Sequence, residues 1–251
     1  MKRNDMTESY SSQKVNEVIN VSNSIRSTLS KFVGTSNKPN TFVSLGQNCS
    51  SAWYLKQVGL KTASYPFDWI FSSTEIVYDC IQTRFSRFLD RTYYIQKTEK
   101  SAGHYLYHSS LFNHRNPLSN DKDYNYYERT CKRFLEIIDS QEEVIYVLTL
   151  VNEPTKRPGW ANGFTNHFPM PENQSVQSAD KLISELSDKN PKAKFIVIDH
   201  YTTSNKRSHC ELTKKNMCFI EFNALGRSTG VNYVSPLDDF SFKLMLSGLT
   251  L

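Results

Sequence analysis

The sequence predicts an α/β fold: a mostly parallel sheet with helices on both faces, Rossmann-like in its three layers, preceded by an extra N-terminal helix. Three observations predict it. Segments of strand character alternate with segments of helical period from residue 41 onward. The runs Val144–Val151 and Lys194–Asp199 are nearly continuous apolar stretches, as strands buried on both faces are. The chain is also long enough, at 251 residues with 38% hydrophobic and 22% charged side chains, to bury a substantial core.

The elements follow in order. Residues 1–13 are polar and read as a flexible tail ahead of a single α/β domain over 14–251. Val15, Val18, Ile19, Ile25, Leu29, Phe32 and Val33 fall near helical spacing and predict a helix over 14–33. Thr41–Leu45 is a short β-type run ending at Gly46. A helix then starts at Asn48 or Cys49 and stops at Gly59, a left-handed terminator. Ser72-Ser73-Thr74-Glu75 offers a capping box for one helix carrying Ile76, Val77, Cys80, Ile81, Phe85, Phe88 and Leu89. Residues 91–120 read as irregular or hairpin, with Tyr105-Leu106-Tyr107 and Leu111-Phe112 as strand-like fragments. A helix over 123–139 precedes the strand at 144–151. The segment 152–176 holds four prolines and two glycines without a period, and is a long loop of the kind that forms lids or binding loops. A helix near 178–188, the strand at 194–199, a charged stretch, a strand at 217–222 and a terminal helix over 237–248 complete the order.

Composition excludes several classes. No run approaches the roughly 20 apolar residues of a membrane-spanning helix, and Met1–Gln13 lacks the hydrophobic segment of a secretory signal, so a cytoplasmic address is expected. The net charge of +5 is scattered, with no cluster of five Lys or Arg, which argues against a nucleic-acid partner. Five cysteines, odd in number and never in a C-x-x-C pair, predict free thiols rather than a disulfide framework or a zinc site. No metal or cofactor is called for. His104 and His108 share a face but lack a third ligand. Oligomeric state is left open.

In sheets of this kind ligands bind beyond the carboxyl ends of the strands, which points at Gly46–Cys49, Asn152–Glu153, Asp199–His200 and Asn223. Cys49 stands at a helix amino terminus, where the dipole favours thiolate. Gln47 and Asn48 carry amide donors beside it, and the Gly46 turn with the free helix N–H groups suits an oxyanion or a phosphate. The alternative for Cys49 is a small apolar residue packing the first turn. Downstream, Tyr65-Pro66-Phe67-Asp68-Trp69-Ile70 surrounds a lone acid with aromatics. Asp68 there orients a histidine or binds a ligand hydroxyl, with Trp69 as a substrate-binding neighbour, or else caps the following turn. Asn113 and His114 sit in a polar loop, and His200 ends a strand.

The run Ser44-Leu45-Gly46-x-x-Cys49, then Pro66-Phe67-Asp68-Trp69-Ile70 and Phe112-x-His114, resembles the family DUF1796, labelled as papain-like cysteine peptidases and associated with surface-polysaccharide loci. The resemblance covers roughly residues 40–150. It implies a site built from Cys49, Asp68 and His114; where the family often has an acid after the histidine, this chain has Arg115. Papain-like enzymes take their histidine from a later antiparallel barrel, whereas the later half here alternates strands and helices.

Two functions follow as expectations. The first is a cysteine-nucleophile hydrolase, peptidase or acyltransferase acting on a peptide or glycan-linked carbonyl, with Cys49 attacking, His114 accepting its proton, Asp68 orienting the imidazole and Asn48 holding the oxyanion. The alternative is a nucleotide-sugar-dependent glycosyltransferase, or a glycan-binding accessory. There Gly46 and the helix terminus hold a diphosphate, Arg157 and Trp160 close from the long loop, and Cys49 is packing.

Overall fold

The structure is a computed structural model and describes residues 10–34, 41–153, 161–172 and 174–250. Its main sheet has five strands in the order β1 (Thr41–Ser44), β5 (Val144–Asn152), β6 (Lys194–Tyr201), β8 (Met217–Asn223) and β7 (His209–Lys214). The first four are parallel and β7 pairs antiparallel with β8 at the edge. Alternation along β5 explains the apolar run. Tyr146 and Leu148 join one core cluster while Ile145 and Val147 join the other, so each side chain is buried whichever way it points.

The helices divide between those two clusters. Helices α3 (Thr74–Gln82), α5 (Asp121–Asp139) and α6 (Asp180–Lys189) bury their apolar stripes on the Tyr146 face. Helices α1 (Ser12–Val33), α2 (Ser50–Gln57) and α7 (Pro236–Leu246) cover the Val147 face. The mostly parallel sheet with helices on both faces and an N-terminal helix thus stands. Its parallel strands run β1-β5-β6-β8 across the sheet in chain order, without the reversal of a doubly wound order. Helix α1 begins at Ser12, where the Ser11 hydroxyl accepts the Lys14 N–H. Among the described residues no helix is long and apolar enough to cross a membrane.

Two elements differ from expectation, and the hairpin region expected over 91–120 is ordered as three strands. The single helix over 74–89 is broken after Gln82, because Arg84 and Phe85 adopt left-handed conformations with φ of 47° and 61° before α4 (Ser86–Leu89). Burial of Phe85 against Phe67, Phe88 and Phe134 offsets that strain. Residues 94–112 form a second, antiparallel sheet of β2 (Tyr94–Thr98), β3 (Ser101–His104) and β4 (His108–Phe112), and Tyr105–Tyr107 is the turn between β3 and β4 instead of a strand. The charged stretch at 209–214 is the edge strand β7. It is mostly exposed and therefore has no apolar alternation to betray it.

Candidate active site

Three segments that are distant in sequence are stitched into one corner. The Gly46 turn after β1 receives the Ser72 hydroxyl on its carbonyl at 2.8 Å, and the Ser72 N–H bonds the Gln47 carbonyl at 3.1 Å. The Phe71 N–H reaches the Leu111 carbonyl of β4 at 3.3 Å. These bonds tie the 65–72 segment to the Cys49 turn on one side and to the His114 loop on the other. That loop is braced by Asn116, whose side chain donates to the Thr98 carbonyl at 2.9 Å and whose N–H meets Asp123 at 2.9 Å. Arg115 pairs with Asp123 at 2.9 Å and stacks on Tyr126 at 3.8 Å, so the residue after the histidine is a brace for the loop.

The result places Cys49 Sγ 3.4 Å from His114 Nε2. The two residues line a cleft of about 290 Å³ together with Asn48, Asn113, Phe71 and Glu153. The cysteine comes from the mouth of a helix and the histidine from the turn that follows an antiparallel sheet. Cys49 is buried and His114 is exposed, so the pair sits at the boundary between core and solvent.

Burial pushes the Cys49 thiol up to about 11, overriding the stabilisation from its own backbone amide; the Asp68 carboxylate raises it further. This corrects the expectation of a helix-stabilised thiolate. The resting group is a thiol, because desolvation of a charge outweighs the end of an eight-residue helix. Asn48 accepts the Ser50 N–H at 3.0 Å just ahead of that helix, and its Nδ2 has no acceptor among the described residues.

Asp68 makes no hydrogen bond to His114. It is fully buried, accepts the Tyr65 N–H at 2.8 Å and pairs with Lys61. Burial pushes its carboxyl up while Lys61 pulls it back. No partner for His114 Nδ1 occurs among the described residues. The carboxylate that does line the cleft is Glu153, held by the Ser228 hydroxyl and 3.7 Å from His200. The rule about strand ends pointed at Glu153, but no motif singled it out. Phe71 and the 229–231 segment, which complete the wall, carried no signal at all.

The remaining candidates fall elsewhere. Gly46 is a close-packing position: a Cβ there would stand 2.3 Å from the Ser51 hydroxyl. Gln47 is fully buried, accepting the Val151 N–H at 2.9 Å and donating to Gln174. Gln47 thereby ties the end of β1 to β5. His200 is buried behind Glu153 against Tyr233, out of reach of a ligand in the cleft. Trp69 lines a different concavity, with Lys56, Lys61 and helix α5. Trp160 and Arg157 lie outside the described residues. His104 bonds the Arg87 carbonyl at 3.1 Å, and burial lowers it to about 4; it faces His108 across β3 and β4. No group of three or more His, Cys, Asp or Glu poised for a metal occurs among the described residues.

No curated protein and no solved structure matches the chain. Residues 40–116, which supply Cys49, the 65–72 segment and His114, match the family model DUF1796, described as "Putative papain-like cysteine peptidase".

Proposed function

We propose that the chain is a cysteine-dependent hydrolase or acyltransferase acting on an ester or amide carbonyl, with Cys49 as nucleophile and His114 as base. The observation that carries this reading is the 3.4 Å contact between Cys49 Sγ and His114 Nε2 at the mouth of a cleft. The family match over residues 40–116 supports the same chemistry.

The protonation state dictates the order of events. Because the resting sulfur carries its proton, attack and proton transfer are coupled: the S–C bond forms as His114 Nε2 takes the thiol hydrogen. The carbonyl oxygen becomes an oxyanion, and the Asn48 amide is the donor placed to meet it. His114 then hands the proton to the departing oxygen or nitrogen as the tetrahedral intermediate collapses to a thioester. Water, or an acceptor nucleophile, gives its proton to the same imidazole as it attacks the thioester, and His114 returns that proton to the departing Cys49 sulfur, releasing the acyl group and restoring the thiol. The imidazolium formed midway is opposed by Glu153 across the cleft, which takes the electrostatic part expected of Asp68. Phe71, Val151 and Val231 make the wall apolar and favour an acyl group with a hydrophobic side.

The test uses p-nitrophenyl acetate as a generic acyl donor, with the acetylated residue located by mass spectrometry. Acetyl-thioester on Cys49 is expected, and His114→Ala should slow its formation by about 10²-fold or more. Acetylation confined to Cys210 and surface lysines, or a rate indifferent to His114, would overturn the reading.

A further inference from the structure

A second concavity, of about 550 Å³, opens between the turn after α2, Trp69 and helix α5. Tyr126, Arg129, Thr130 and Arg133 stand at i, i+3, i+4 and i+7, so one face of α5 forms its wall. Lys56 and Lys61 close the opposite side. Four cations therefore surround one open space. Lys61 is neutralised by the buried Asp68. Lys56, Arg129 and Arg133 have no carboxylate within ion-pairing reach among the described residues.

Four cations facing the single buried carboxylate of Asp68 leave an excess of positive charge, and an arriving anion relieves their mutual repulsion. The guanidinium of Arg133 is already fixed, since one of its nitrogens donates to the Ser64 carbonyl at 2.7 Å. Arginine forks match phosphate oxygens two at a time. Half-buried Trp69 and Tyr126 add flat faces beside the cations. The volume lies in the range of small-molecule sites and far exceeds that of a free phosphate.

We propose that this pocket binds a phosphorylated ring compound, its phosphate held by Lys56, Arg129 and Arg133 and its ring laid against Trp69. A nucleotide and a sugar phosphate share that chemistry. The site is separate from the Cys49 cleft, so the proposal does not depend on the acyl-transfer reading.

The experiment is calorimetric titration of the full chain with uridine diphosphate, glucose 1-phosphate and sodium phosphate, with tryptophan fluorescence followed in parallel. One-to-one binding of either ring compound, at least about tenfold tighter than inorganic phosphate, is expected. Which of the two binds identifies the ring. The double variant Lys56→Gln/Arg129→Gln changes two exposed side chains, so it should keep the unliganded melting temperature and lose about tenfold or more in affinity. The fluorescence response should vanish in Trp69→Phe, and Cys49→Ser should bind like the parent protein. The proposal is overturned by no binding of either ring compound, by equal affinity for inorganic phosphate, or by undiminished affinity in the double variant.

Discussion

Alkylation with iodoacetamide separates a resting thiol from a preformed ion pair at Cys49, and the size of the difference follows from burial. With the Cys49 group pushed up to about 11, roughly one molecule in 10⁴ carries a thiolate at about pH 7. An undisturbed cysteine at 9.0 would have roughly one in 10². Cys49 should therefore react about 10²-fold more slowly than an undisturbed thiol, since the thiolate is the species that alkylates. Cys210 is shifted the other way. Its sulfur lies 3.3 Å from that of Cys218, and a hydrogen bond from that thiol lowers it. Half-exposed on the edge strand, Cys210 should be labelled first. Timed exposure from about pH 7 to about pH 10, read peptide by peptide by mass spectrometry, should show the Cys49 rate climbing about tenfold per pH unit. A Cys49 that outpaces Cys210 near neutrality, with a rate flat in pH, would mean that His114 has already taken the proton. The argument from desolvation would then be wrong.

Further outcomes are expected elsewhere. Gly46→Ala places a methyl group 2.3 Å from the Ser51 hydroxyl, which is itself engaged with Thr149 at 2.6 Å; it should cost roughly 1–3 kcal/mol in denaturant melts and slow Cys49 acetylation. Asp68→Asn strands Lys61 beside a buried amide and should cost about 3–5 kcal/mol. Because Asp68 does not touch His114, the variant that remains folded should still acetylate Cys49; abolition of labelling in a folded variant would restore Asp68 to the catalytic set. Asp199 is raised to about 6, chiefly by burial. A carboxyl raised in the folded state contributes stability that is present below its unfolded value and fades as pH climbs through about 6. Thermal melts of Asp199→Asn should accordingly gain on the parent near neutral pH, with the gain shrinking toward about pH 4.

Much of the fold could be read from the chain because burial on two sides writes itself as unbroken apolar runs. Val144–Val151 and Lys194–Asp199 are such runs, and both are central strands. The edge strand β7 and the strand β2 could not be read that way. Their outward faces meet water, so Ile95–Thr98 has one apolar residue and His209–Lys214 only Cys210 and Leu212. The break at Arg84–Phe85 was invisible for another reason: a tertiary aromatic cluster, not a local terminator, dictates it. At the site, Cys49 and His114 were found by motif and chain order, and the structure brings them into contact. Asp68 was misassigned because a short sequence window shows an acid among aromatics and hides the lysine seven residues earlier that claims it. Glu153 was marked only by its place at a strand end, because no local pattern tells a cleft-lining carboxylate from any other acid in a loop.

The pairing of α1 with α7 has a consequence for biosynthesis. Ser22 and Ser241 join hydroxyls at 2.5 Å, and Gly248 sits so close to the Arg26 carbonyl that a Cβ would come within 2.2 Å. The far side of the sheet is roofed largely by one helix made before all five strands and one made after them. A nascent chain halted before residue 236 would expose a greasy plate of Ile145, Ile196 and Ile220 with half its roof absent. Docking of α7, more than strand assembly, is then the step that closes this face of the core.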